Sequence, residues 1–356
     1  MHFEYEKWMG MAFAMSNQRT NSVSAFTRDP CGALSFSEKE KTGGEGTGEP
    51  VVDPLASQGS LASACGGRLL LAVNAGDNTV SVFRVEQGCM TLRSVVPSGG
   101  VMPISIAVYG NLVYVLNAGD ESAAATLAGF RLEKDGSLAP IGSCSVALPG
   151  EGVLASAVQP ACVVFSPDGD FLVVSLRGVN ILVTFRVSPN GMLTNPVYTP
   201  SNGEAPFGMA FARRDVLLVS EAGANALSSY RIKHDGALQV ISGSVKSNQL
   251  ATCWVSVTPD GRFAYTSNTG TGTISLYRVA CDGGLTLVES VPSTPSADGA
   301  PIDSAVAPDD RYFYVLNGAQ GSISAFVVGC NGHLTLFQIY EHTCLPEIGA
   351  QGLAVT

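Results

Sequence analysis

Glu221 is the one carboxylate in a column otherwise dominated by asparagine. Asn17, Asn74, Asn117, Arg177, Glu221, Asn268 and Asn317 stand at equivalent places along the 356-residue chain, each closing a short apolar run. A desolvated carboxylate in such a place acts as a base or a hydrogen-bond acceptor, and Arg177 either pairs with it or polarises a carbonyl; as plain turn residues both would simply be solvated. Asparagine there readily bonds the backbone of its own turn, which is the first expectation for Asn268 and its equivalents.

A second series lies ahead of each run: Met102 and Ile104, Ala161 and Cys162, Phe207 and Gly208, Cys253 and Trp254, Ile302 and Asp303, and Gln351. It is mostly apolar or amide-bearing, which suits a neutral or weakly polar organic ligand oriented by a few polar groups. A phosphosugar fits poorly, because phosphate needs several converging cationic or N–H donors. Asp303 is an acid or base, or caps backbone at a strand start. Trp254 and Phe207 either stack on a flat substrate or pack internally. Cys162 and Cys253 read as small buried hydrophobes, since no histidine in either series would activate them. His2, His234, His333 and His342 fall at the terminus, in outer turns and near the last outer strand, so neither a Ser-His-Asp triad nor a histidine metal cluster assembles. No metal and no cofactor is expected, and Gly43-Gly44-Glu45-Gly46 lacks the strand–turn–helix context of a nucleotide loop.

The elements that hold both series in place repeat seven times. Phe26, Phe83, Phe130, Phe185, Tyr230, Tyr277 and Phe326 each close an alternating run, 45 to 57 residues apart, and a tight turn and a leucine follow. Such a period with strand signals throughout predicts an all-β, seven-bladed β-propeller of four-stranded antiparallel blades. In the sixth copy the strands are expected at 252–257, 262–267, 273–279 and 285–291, separated by Pro259-Asp260-Gly261, Gly270-Thr271-Gly272 and Asp282-Gly283. Glycine recurs in the third turn, as Asp135-Gly136, Asn190-Gly191, Asp235-Gly236 and Asn331-Gly332, because a tight hairpin needs positive φ.

One domain over 1–356 is expected, with blades near 10–42 plus 349–356, 59–97, 102–147, 160–199, 206–246, 251–293 and 301–344. The first copy lacks an inner strand and residues 349–355 supply one, so the C-terminal strand should join the N-terminal blade and close the ring without an open edge. The links 42–58 and 148–159 are longer than the rest and lie on the face where inner strands begin. Each is a linker or a lid over the site.

Composition narrows the partners. A net charge of −10 disfavours nucleic acid and anionic membranes. No uncharged apolar stretch of about 18 residues exists to span a bilayer, and the charged start lacks the apolar run of a secretory signal. Nine cysteines without a Cys-x-x-Cys pair favour reduced thiols and a cytoplasmic location. The partner expected is a small apolar substrate; oligomeric state is left open.

The repeat resembles the lactonase-type seven-bladed propellers, which include 6-phosphogluconolactonases and carboxymuconate cyclases. Val164-Phe165-Ser166-Pro167-Asp168-Gly169, residues 257–265 and Tyr312-Phe313-Tyr314-Val315-Leu316-Asn317 carry the resemblance. By that resemblance, the family's catalytic histidine falls at Ala161 or Cys162, one arginine at Phe207 and another at Thr269, and only its glutamate is matched, by Glu221. The chain is also similar to propellers of fungal secondary metabolism that catalyse ring-forming hetero-Diels–Alder additions. The resulting expectation is a cofactor-free cyclase or cycloaddition catalyst, with Glu221, Arg177 and Asp303 orienting polar groups. Trp254, Phe207, Met102, Cys162, Cys253, Asn268 and Gln351 would bind substrate. A lactone hydrolase with Glu221 activating water and a non-catalytic binding propeller are the alternatives.

Overall fold

Short alternating runs punctuated by turn residues become strands almost everywhere in the computed structural model, which describes residues 10–86, 88–148 and 155–356. Those residues form seven four-stranded antiparallel sheets. Sheet six comprises Thr252–Val257, Phe263–Asn268, Thr273–Val279 and Leu285–Pro292, within one residue of expectation at each end. The inner strands neighbour one another in a ring, running Leu353–Val355, Leu61–Ala64, Pro103–Tyr109, Pro160–Phe165, Pro206–Arg213, Thr252–Val257, Pro301–Val306 and back to the first. This is a seven-bladed propeller. No helix among the described residues is long and apolar enough to cross a membrane.

The repeated aromatic holds the blades together. All seven are at most 4% exposed, and each stands at or beside a break in the ladder between the third and fourth strands. A bulge there bends the outer strand and turns a large ring toward the core. Removing one such ring costs about 3–5 kcal/mol in a packed interior.

Ring closure follows the expected route. Ala12, Phe13 and Ala14 pair with Val355, Ala354 and Leu353, and Thr356 N–H donates to the Met11 carbonyl at 2.8 Å. Arg28, 1% exposed, bonds the Thr356 carbonyl and ion-pairs with Asp309 of blade seven at 3.4 Å.

A local device repeats where five inner strands begin. Met102, Gln159, Ala205, Ala251 and Ala300 take positive φ, and the ladder to the second strand then skips, between Pro103 and Ser105, Pro160 and Cys162, Pro206 and Met209, Thr252 and Trp254, and Pro301 and Ser304. Proline is tolerated at a strand's first position because little pairing is lost there. The skipped residues Ile104, Ala161, Phe207, Gly208, Cys253, Ile302 and Asp303 leave the ladder, and Ala161, Phe207, Cys253, Trp254, Ile302 and Ala350 pack into one apolar cluster at the hub.

Candidate functional site

The link between blades one and two does not arch over the hub but fills it. Gln58 donates its backbone N–H to the Ala161 carbonyl (2.9 Å), and its side-chain amide donates to the carbonyls of Met209 and Val255 at 3.0 and 3.2 Å. Val255 N–H returns a bond to Gln58 Oε1 at 2.8 Å. The Ser57 carbonyl accepts from Trp254 Nε1 (3.0 Å) and from Gln351 Nε2 (2.7 Å), while Gln351 Oε1 accepts from Leu55 N–H at 2.8 Å. The bulges described above leave inner-strand carbonyls and N–H groups pointing at the hub, and residues 55–58 satisfy them. With Ser57 Oγ donating to the Ile104 carbonyl (2.8 Å) and Ser105 Oγ to the Gln58 carbonyl (2.6 Å), the link acts as a plug bonded to blades three, four, five and six and to Gln351 just ahead of the closing strand.

Beneath it, Trp254 and Phe207 are each 1% exposed and meet edge to face, with ring centroids 5.1 Å apart. The expected stacking platform is thus an internal packing pair, because the plug occupies the space a substrate ring would take. Cys162 and Cys253 are buried, and burial pushes both thiols up to about 12, which removes them as nucleophiles at neutral pH. Gln351 is a plug anchor. The apolar, open mouth expected from the sequence is replaced by a filled hub with a polar margin.

Glu221 is also committed elsewhere. Fully buried, its carboxylate accepts from Ser228 Oγ (2.5 Å), Gly203 N–H (2.8 Å) and Ser244 Oγ (2.6 Å), which ties its strand to the two outer ones and to the loop before its blade. Three of the column's asparagines do similar work. Asn268 donates to Thr273 and Ser275 at 3.1 and 2.8 Å, and Asn74 and Asn317 reach the hydroxyls five and seven residues on. Glu221 keeps the bond to residue i+7 with the roles reversed, the serine donating. A fully buried carboxylate that already accepts from three donors is committed to bracing its sheet.

The column's other exception behaves differently. Arg177 opens a short 3-10 turn, Arg177–Val179, after the second strand of blade four, and its guanidinium carbon lies 5.7 Å above the Phe207 ring. Arg177 lines a groove of about 350 Å³ at the plug's edge, between blades three and four, walled by Leu55, Met102, Ala118 and Pro160 and bordered by the exposed Asp120 and Glu121. Asp53, at the entry to the plug, is coupled electrostatically to Arg177. Desolvation dominates and pushes the Asp53 carboxyl up to about 6, against the pull of Arg177, of Gln351 and of the Ala56 and Ser57 N–H groups. Asp53 Oδ1 and Arg177 Nε are both buried without a hydrogen-bond partner among the described residues. Asp303 lies deeper. It is 4% exposed, accepts from Gly352 N–H at 2.9 Å, and is held up at about 7 chiefly by burial.

A family model for the lactonase seven-bladed β-propeller matches residues 121–255 and 247–342. The chain belongs to this lactonase propeller family. Among solved structures it is similar to a protein from Lactobacillus plantarum, with TM-score 0.78, 19% identity and coverage of 98% of this chain and 100% of that one. It is likewise similar to a periplasmic gluconolactonase of Pseudomonas aeruginosa, with TM-score 0.75, 18% identity and 97% and 98% coverage. A proposed 6-phosphogluconolactonase of Bacteroides uniformis gives TM-score 0.74, 18% identity and 98% and 99% coverage. At these identities the likeness is one of fold. No curated protein matches the chain.

Within the lactonase propeller frame, the positions carried over by resemblance do not converge on a cavity. Ala161, Cys162 and Phe207 lie in the buried hub, Thr269 Oγ1 bonds the Pro301 carbonyl at 2.8 Å, and Glu221 braces its sheet. Of the residues singled out from the sequence, Arg177 and Met102 share the groove. Asp53, Gln58, Asp120 and Glu121 were not singled out. The only signal for the first two was the unusual length of link 42–58; its companion, 148–159, lies partly outside the described residues.

Proposed function

We propose that this lactonase propeller opens a small lactone by water attack, in the groove between blades three and four. The observation that carries the proposal is Arg177 on the groove wall within electrostatic reach of Asp53, which lies just ahead of the wall residues Leu55 and Ala56, each of the two with a buried polar atom unpartnered among the described residues. Arg177 would polarise the lactone carbonyl and hold the oxyanion that develops there. Asp53, poised near 6, is ionised at neutral pH yet basic enough to take a proton from the attacking water. The C–O ring bond then breaks, and the Asp53 proton passes to the departing alkoxide, leaving a hydroxy acid and a regenerated carboxylate.

A groove of about 350 Å³ sits at the small end of the range for ligand sites and matches a single five- or six-membered ring. Ring-forming cycloaddition, the leading expectation from sequence, loses its platform because Trp254 and Phe207 are covered. The described cysteines are unpaired and six of them are exposed, which favours a reducing, cytoplasmic setting; cell fractionation against the periplasmic alternative decides that point.

The test is lactone opening followed by pH-stat across a panel of small lactones. Arg177→Gln and Asp53→Asn should each lower kcat/KM roughly 100-fold or more, and the wild-type rate should rise with pH through about 6 as Asp53 ionises. Opening that survives both substitutions would remove the assignment.

A further inference from the structure

The groove rim carries more negative than positive charge, and this bears on which lactones enter. Arg177 is the one cation lining it among the described residues, whereas Asp120 and Glu121 line it from the blade-three side. Asp120 is fixed in place, its Oδ1 accepting from Ser122 N–H (2.7 Å), Ser122 Oγ (2.8 Å) and Ala123 N–H (2.8 Å). These bonds hold its carboxyl below the ordinary range, so it stays ionised at any pH where the protein works. Glu121 is exposed and makes no hydrogen bond among the described residues, leaving its charge directed at whatever approaches. Asp53 adds a third carboxylate behind Arg177. Around these charges the walls are Leu55, Met102, Ala118 and Pro160. A phosphate or carboxylate on the substrate would meet one guanidinium already within electrostatic reach of Asp53, and two further acids.

We propose that Asp120 and Glu121 form an electrostatic filter that restricts the groove to uncharged lactones and turns away phosphorylated or carboxylated ones. The filter rests on the lactone-opening assignment above for its substrate class but not for its sign, which follows from the rim charges alone. For a dianionic phosphate about 8–10 Å from two carboxylates in a water-like dielectric, the rejection is about three- to sixfold at low ionic strength after the attraction of Arg177 at a like distance is set against it.

The experiment compares equilibrium binding of two lactams, ring analogues that water does not open. One is δ-valerolactam and the other a phosphorylated gluconolactam; each is titrated calorimetrically into the wild-type protein, Glu121→Lys and Asp120→Asn, at 10 mM and 1 M salt. Lactone turnover is measured alongside. Preference for the neutral lactam at low salt is expected, shrinking at 1 M salt, where screening acts within about 3 Å. Glu121→Lys should shift the neutral-to-phosphorylated ratio by roughly tenfold toward the phosphorylated ligand, and Asp120→Asn should shift it the same way by less. Equal binding of the two lactams, no binding of the neutral one, or a ratio unmoved by Glu121→Lys overturns the filter. Charge-selective lactam binding without any lactone turnover would uphold the filter while sinking the lactone-opening assignment, and turnover without charge selectivity would do the reverse.

Discussion

Replacing Asp303 by asparagine should stabilise the protein, and only at neutral or alkaline pH. Asp303 is nearly fully buried, and its carboxyl is raised from the ordinary 3.8 to about 7, burial being the main cause and the Asp53 charge a lesser one. Below about pH 4 the group is protonated whether the chain is folded or not, and nothing is lost. Between pH 4 and 7 the unfolded chain releases its proton while the folded one keeps it, so stability falls as pH rises. Above pH 7 the whole cost is present, with an upper bound of about 4 kcal/mol. Asparagine retains an oxygen to accept the Gly352 N–H and carries no charge to desolvate, so about half of that bound should be recovered. For a chain of this length roughly 1–2 °C accompanies each kcal/mol, and Asp303→Asn should melt about 2–4 °C above wild type at pH 8 and no higher at pH 4.5. Thermal and urea melts at four pH values decide it. A variant less stable at every pH, with a pH-independent difference, would show that Asp303 is held by specific bonding to its charged form, contrary to the desolvation account.

Other expectations concern the plug, the column and the closure. Gln58→Ala removes the acceptor of Val255 N–H and the donor to two carbonyls, and should cost about 2–3 kcal/mol by urea unfolding; an unchanged midpoint would mean the plug is not bonded as described. Glu221→Ala should cost about 2–4 kcal/mol through its three lost bonds while leaving the lactone kcat/KM of folded protein within a few-fold, and a 100-fold loss would return Glu221 to the chemistry. Deleting residues 349–356 removes the inner strand of blade one together with the Gln351 anchor. Loss of the cooperative melt is expected, and a near-native melting temperature would show the ring does not depend on that strand.

The strands, their turns and the closing of the ring were legible because each is written locally. A strand needs alternation over six or seven residues, and a hairpin needs a residue that accepts positive φ: Gly136, Gly191, Gly236 and Gly332 do so at +90°, +82°, +89° and +85°. The asparagine column was legible only in part: bonds to the local turn backbone were expected, whereas Asn74, Asn268 and Asn317 donate to side-chain hydroxyls five and seven residues on. What misled was Glu221, a carboxylate where an amide is usual, whose bonds to Ser228 and Ser244 could not be distinguished from a vacancy for substrate until the sheet was folded.

The amino-acid sequence alone determined seven blades, the aromatic that each buries and the terminus that completes the first, since the forces involved act between residues close in the chain or repeat with its period. Only the tertiary structure decided what occupies the hub. Residues 55–58 look like an ordinary loop, and their bonds run to Ala161, Met209, Trp254, Val255 and Gln351. Contacts spanning a hundred to nearly three hundred residues leave no periodic trace in a linear string, and they move the candidate chemistry from the central channel to Arg177 and Asp53 at its edge.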